Sequence, residues 1–363
     1  MVAVAERDDT FALLNPAQRQ AACHGETRAD GGVASGPLLV IAGAGTGKTM
    51  TLAHRVAHLV ISGVDQDRIL LLTFTRRAAE EMTRRVEGIV RKAWGQAGHS
   101  GAPVRLQWSG TFHSIGNRLL RQFAGNLGLD PGFSVLDRGD AADVMDVVRH
   151  ELRLSTARRR FPKKDTCLAI YSRAVNTGDL LERTLEAAYP WCLDWEAELR
   201  ELYRNYVRRK QANQLLDYDD LLLYWQRLVT EPDFAACISA EFDHILVDEY
   251  QDTNRVQASI LKSLRPDGAG LTVVGDDAQS IYSFRAADIE NILGFPDQFM
   301  PTANVVTLEE NYRSTQAILD AANCLIAESD RQYRKNLFAT DRPGDKPAYV
   351  TVEDGDAEAL YCL

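Results

Sequence analysis

A chain of 363 residues, 45% hydrophobic and 25% charged, is long enough for two or three domains with cores of their own. No run approaches the ~20 apolar residues of a membrane span, the polar start Met1–Thr10 lacks a signal-peptide core, and six cysteines without a CxxC pair argue against a disulfide framework or a zinc site. The expected compartment is therefore the cytoplasm, and a net charge of −10 counts against a nucleic-acid partner only until its distribution is considered.

In chain order, the first strong element is the apolar run Pro37–Ile41, followed by Ala42-Gly43-Ala44-Gly45-Thr46-Gly47-Lys48-Thr49 and a helical pattern over Thr51–Ile61. A strand, a small-residue turn and a helix in that order form a phosphate cradle. Small residues let successive backbone N–H groups face phosphate oxygens, Lys48 reaches the β- and γ-phosphates, and the Thr49 hydroxyl meets Mg²⁺. The strict pattern has glycine at Ala42, a departure that leaves the turn intact if Ala42 ends the strand. His54 and His58, four apart on the helix, have no third ligand nearby and are assigned no role.

Positive charge then gathers in Arg76, Arg77, Arg84, Arg85, Arg91 and Lys92, in Arg153, Arg158, Arg159, Arg160, Lys163 and Lys164, and in Arg204, Arg208, Arg209 and Lys210. Each group is a candidate phosphate-backbone contact, set against the plainer reading of a solvated helix face.

Short apolar runs recur at Leu38–Ile41, Ile69–Phe74, His244–Val247, Leu271–Val274 and Asn304–Leu308, with helical patterns between most of them, which predicts an α/β fold with a parallel sheet. From about Asn117 to Leu215 the periodicity is helical, with only Phe133–Leu136 strand-like, so 117–215 reads as a helical insertion. The looser stretch after Asp288, with Gly294, Pro296 and Pro301, precedes a new strand at Asn304 and suggests a second domain over 289–363. Residues 1–116 and 216–288 would then form the first, discontinuous domain.

The cradle needs a carboxylate partner for the metal and a base for water, and Ile245-Leu246-Val247-Asp248-Glu249 supplies both at a strand tip. Asp248 would hold Mg²⁺, and Glu249 would orient and deprotonate the attacking water.

These motifs, in this order, resemble superfamily 1 DNA helicases of the UvrD/Rep/PcrA type. The resemblance rests also on Leu14-Asn15-Pro16-Ala17-Gln18-Arg19-Gln20, Leu72-Thr73-Phe74-Thr75-Arg76, Gly110-Thr111-Phe112-His113-Ser114, Asp217-Tyr218-Asp219-Asp220-Leu221, Gly275-Asp276-Asp277-Ala278-Gln279-Ser280-Ile281-Tyr282 and Asn311-Tyr312-Arg313-Ser314-Thr315. It implies RecA-like motor domains with ATP and Mg²⁺ as cofactors, ATP hydrolysis stimulated by single-stranded DNA, and 3′-to-5′ strand separation at single/double-strand junctions in repair or replication. By resemblance, Gln18 hydrogen-bonds the adenine edge, Tyr312 stacks near it, Gln279 senses the γ-phosphate and Arg313 reaches that phosphate from the second domain. Thr73, Phe74, Arg76, Thr111, His113, Tyr282, Phe284 and Arg285 would contact DNA, the aromatic rings by stacking on any base. Phe284 stands where many relatives carry tryptophan, Ala286 where glycine is usual and Ala278 where aspartate is common.

The family's later second-domain motifs are not found before Leu363, so the chain is expected to be an amino-terminal part that hydrolyses ATP poorly and does not unwind duplex alone. Two other readings stay open: a nucleotide- and DNA-binding module completed by a partner chain, and an ATPase subunit of a helicase-nuclease.

Overall fold

The computed structural model describes residues 10–29, 31–96, 103–154, 160–340 and 342–362. Six parallel strands form the central sheet: β1 (Leu38–Ala42), β2 (Ile69–Thr73), β3 (Trp108–Thr111), β4 (His244–Val247), β5 (Leu271–Gly275) and β6 (Asn304–Leu308). Their spatial order is β6-β1-β5-β4-β2-β3.

Every residue of β1, β2, β4 and β5 is buried, as expected of strands covered on both faces. Alternation divides their side chains between two cores. Leu38, Val40, Ile69, Leu71 and Leu246 pack under helices α2 (Lys48–Ile61) and α3 (Arg76–Gln96), against Leu52, Val56, Met82 and Val86. Leu39, Ile41, Leu70, Leu72, Ile245 and Val247 face the opposite layer of α4 (Phe112–Gln122), α9 (Tyr218–Thr230) and α11 (Arg255–Leu264), meeting Leu119, Leu221, Trp225 and Ile260. Short α1 (Pro16–Ala22) and α10 (Pro232–Ala240) flank these layers.

Three expectations change. Strand β3 was absent from the sequence reading, because Trp-Ser-Gly-Thr has no β-branched apolar run, yet it pairs with β2 from Leu70↔Trp108 to Thr73↔Thr111. The insertion begins later than residue 117: Leu119, Leu120 and Phe133 belong to the sheet-side core. A third cluster, from Leu136 and Met145 to Tyr206, packs α5 (Arg138–Glu151), α6 (Lys164–Thr177), α7 (Leu181–Ala188) and α8 (Glu196–Ala212) around a core of their own. The insertion's root is a parallel clasp of Ser134–Val135 with Leu215–Leu216.

The third concerns β6, expected as the first strand of a second domain over 289–363. It extends the first sheet by pairing with β1 from Asn304↔Leu38 to Leu308↔Ala42, and buries Val306 and Leu308 beside α2. Before it, α12 (Glu290–Leu293) packs Ile292 into the sheet core; past it come α13 (Gln316–Ala327) and the two-residue pairing of Glu310–Asn311 with Phe338–Ala339, and α14 (Gly355–Cys362) lies exposed.

Candidate nucleotide site and nucleic-acid cleft

Strands β1, β5 and β4 are adjacent, so the turns leaving their carboxyl ends converge, which is where open parallel sheets bind ligands. Ala42 is the last residue of β1, so its side chain stays in the strand and the turn proper starts at Gly43. Gly45 and Gly47 have φ of 85° and 83°, a region costly for residues with a Cβ. A Cβ on Gly47 would come 2.7 Å from Gln18 Nε2, and one on Gly45 would come 2.7 Å from Arg313 Cβ. Gly47 caps α2, whose first residues are Lys48 and Thr49, so the helix N-terminus faces the cradle. Thr46 is fully buried and closes the turn by donating its hydroxyl to Gly43 O at 2.8 Å.

Lys48 Nζ lies 2.5 Å from Glu249 Oε2, and Gln251 Nε2 donates to the same oxygen at 2.8 Å. Glu249 itself sits at φ 53°, ψ 46°, a left-handed conformation that a glutamate holds only where its surroundings impose it. Asp248 is buried beside it, and burial together with the Glu249 charge pushes its carboxyl up to about 6. Among the described residues no group of three or more His, Cys, Asp or Glu could hold a metal alone. Thr49 and Asp248 line one cavity, and a hydroxyl and a carboxylate oxygen are donors of the kind Mg²⁺ takes alongside nucleotide phosphates.

Gln18 Oε1 accepts from Asn15 N and its Nε2 donates to Thr46 O at 2.9 Å, so the amide stands directly against the cradle. Asn311 Nδ2 donates to Ala44 O at 2.6 Å, Tyr312 N donates to Gly45 O at 2.9 Å, and Asn311 Oδ1 accepts from the N–H groups of Arg313 and Ser314. Arg313 thus stands beside Gly45 in the loop that follows β6, the sheet's edge strand. Tyr312 accepts from Asn15 Nδ2 through its hydroxyl and leaves its ring half exposed.

Beside the cradle, a cavity of about 550 Å³ is lined by Thr49, Asp248, Glu249, Gln251 and Gln279 together with Phe74, Ile281 and Tyr282. It adjoins a cleft of about 860 Å³ lined by Thr73, Phe74, Thr111, His113, Tyr282, Phe284 and Arg285. Phe74 and Tyr282 stack at 5.3 Å, Tyr282 and Phe284 lie 5.7 Å apart, and the Arg285 guanidinium stands 5.0 Å from the Tyr282 ring. Phe284 is 69% exposed, a costly position for a ring unless something covers it. Ala286, on the same wall, has φ 66°, so alanine here bears strain that glycine would not.

Arg76, another expected contact, lines a neighbouring groove with Arg84, Ser109 and Ser114. Thr73 is buried and donates its hydroxyl to Thr75 O, while Thr111 caps α4 through Ser114 N. Burial drives the His113 imidazole down to about 4, so at neutral pH it meets a ligand uncharged.

Four members of the basic runs form ion pairs within the protein: Arg85 with Glu81, Arg91 with Glu87, Lys164 with Asp143 and Arg209 with Glu151. Lys210 is buried, 2.5 Å from Asp217 and 2.6 Å from Asp220, and contacts no phosphate path. Arg158 and Arg159 lie outside the described residues. Arg138 and Arg173 of the insertion, outside the basic runs, also line the cleft. Being isolated in sequence, they left no charge run to find.

A parallel α/β sheet with a phosphate cradle, an acidic strand tip beside it and an adjoining aromatic cleft defines a P-loop nucleotide-binding protein. The UvrD/REP helicase N-terminal domain matches residues 14–300, and the UvrD-like helicase C-terminal domain matches residues 306–363. The chain belongs to the UvrD/REP helicase family. It is 36% identical over 332 residues to the ATP-dependent DNA helicase PcrA of Staphylococcus epidermidis, covering 90% of this chain and 43% of that protein. The PcrA of Bacillus subtilis is 37% identical over 350 residues, 96% of this chain and 44% of its own length, and that of Leuconostoc citreum is 37% identical over 332 residues, 90% and 42%. The chain therefore spans less than half the length of these relatives. Among the described residues no helix is long and apolar enough to cross a membrane.

Proposed function

We propose that this chain binds Mg·ATP at the Gly43–Thr49 cradle and single-stranded DNA in the adjoining aromatic cleft, and that it forms the ATP-binding part of a 3′-to-5′ DNA helicase. The observation that carries this reading is the shared cavity, in which Thr49, Asp248, Glu249 and Gln279 face Phe74 and Tyr282.

Mg²⁺, when bound with the nucleotide, offsets charge on the β- and γ-phosphates. Lys48, held by Glu249 in its resting position, transfers to the phosphates and leaves Glu249 free to accept a proton from water at Oε2. Gln251 keeps that carboxylate oriented through its 2.8 Å bond. Arg313, against Gly45, supplies positive charge where it develops on the transferring group. Gln279 lines the same cavity as Glu249 and Tyr282 and is the residue through which a change at the phosphate would reach the stacked rings. Phe74, Tyr282 and Phe284 accept any base by stacking, as a motor moving along arbitrary sequence requires.

The test is ATP hydrolysis with and without single-stranded oligonucleotide, in the native chain and in Lys48→Ala. DNA is expected to accelerate the native rate, and the variant is expected to be inactive. A rate indifferent to DNA that is demonstrably bound would overturn the reading.

A further inference from the structure

The segment following α13 sends one cation back beneath the nucleotide site. Lys335 Nζ lies 2.7 Å from Asp276 Oδ1 and 2.6 Å from Asp277 Oδ1, and none of the three side chains is more than 4% exposed. The lysine arrives on a fixed backbone: Tyr333 N donates to Asp277 Oδ2 at 3.1 Å, and the Tyr333 hydroxyl donates to Leu293 O at 3.0 Å.

The other oxygen of Asp276 accepts from Gln279 Nε2 at 2.7 Å. Its backbone N–H donates to Gln251 Oε1 at 3.0 Å, and Gln251 Nε2 in turn holds Glu249. An unbroken line of polar contacts thus joins Lys48, Glu249, Gln251, Asp276 and Lys335. Buried ion pairs add little net stability compared with apolar packing, but losing one partner strands the other charge. With Lys335 removed, Asp276 and Asp277 would face each other unneutralised, and Asp276 would turn from the position that fixes Gln279.

We propose that Lys335 is a positioning residue for ATP hydrolysis, holding Asp276 and through it both Gln279 and the Gln251–Glu249 pair. This rests on the nucleotide-site reading above. It also gives the carboxyl-terminal family segment a direct hold on the first domain's chemistry.

The test compares the native chain with Lys335→Met, Lys335→Arg, Gln279→Ala and the double variant Lys335→Met/Gln279→Ala. Hydrogen exchange is followed with the Mg²⁺ complex of a non-hydrolysable ATP analogue bound. In Lys335→Met, amides of Asp276–Tyr282 are expected to exchange at least tenfold faster while those of α2 are unchanged, and Lys335→Arg should restore most of the protection. The analogue's Kd should stay within threefold, whereas the hydrolysis rate should fall about tenfold and fall no further in the double variant. Unchanged exchange at 276–282, or losses that multiply in the double variant, would overturn the proposal. If Lys335→Met does not fold, Lys335→Gln, which keeps a donor in place but removes the charge, is held to the same expectations. A native chain that binds no nucleotide refutes the underlying reading instead, and leaves the exchange comparison without analogue to judge the placement of Lys335.

Discussion

Lys210 and Lys335 are both buried, and each bridges two aspartates, yet only one of these clusters touches the nucleotide side of the molecule. At the root of the insertion, Lys210 binds Asp217 and Asp220, which also form the capping box that starts α9, and Asp217 accepts from the Tyr206 hydroxyl at 2.8 Å. These carboxylates are shared only with elements of the fold. At the end of β5, Asp276 is shared with Gln279 and Gln251, both of which line the cavity beside the cradle. The same charge chemistry thus ties one region together and aims the other. What separates the two roles is which other groups use the carboxylates.

The contrast can be broken most forcefully at Lys210. Lys210→Met leaves two buried aspartates facing each other and should cost about 3–5 kcal/mol in denaturant unfolding. Because burial already lifts Asp220 to about 6, above its unfolded value, the native state holds more protons between those two values. This contribution therefore favours folding more as pH falls from 7 toward 5. The nucleotide Kd of the folded variant should not move, and a large change in it would erase the distinction between the two clusters.

At the site, Glu249→Gln should behave in the opposite way, keeping stability and Mg·ATP binding while lowering turnover by about 10²–10⁴-fold, the range of a general base. Hydrolysis at the native rate would remove Glu249 from that role. A smaller effect is expected in the cleft: Phe74→Ala should weaken single-stranded DNA binding by about 1–3 kcal/mol in a fluorescence titration, with ATP affinity unaltered. The smallest is local. Ala286→Gly should relieve the positive φ and raise thermal stability by about 1 kcal/mol, and a loss of stability would show that the alanine methyl is needed in the cleft wall.

The sequence made local chemistry legible and long-range placement much less so. Strands β1, β2, β4, β5 and β6 were readable because each is a continuous apolar run, and the cradle because its small residues, Lys48 and Thr49 are consecutive. Asp248 and Glu249 were readable from their position at the tip of one such run. Strand β3 was not, since Gly110 and Ser109 carry no strand signal and its place depends on pairing with β2. Nor could periodicity reveal that α4 belongs to the sheet core or that β6 adds to the first sheet, both being decided by partners far away in the chain. Gln18 and Lys210 were legible as residue types but not as contacts: the amide stands against the cradle, and the lysine sits in a core where a basic run suggested a surface. Lys335 gave no signal at all, because its aspartates lie 58 and 59 residues earlier.

The central claim is that phosphate cradle and aromatic cleft are one coupled site. The most direct measurement is the Kd of a fluorescent oligothymidine with and without a saturating non-hydrolysable Mg·ATP analogue, paired with the analogue's Kd with and without saturating oligonucleotide. Coupling through the shared cavity predicts that both affinities change by the same factor, at least about fivefold, or about 1 kcal/mol. Two affinities that each ignore the other ligand would contradict the account.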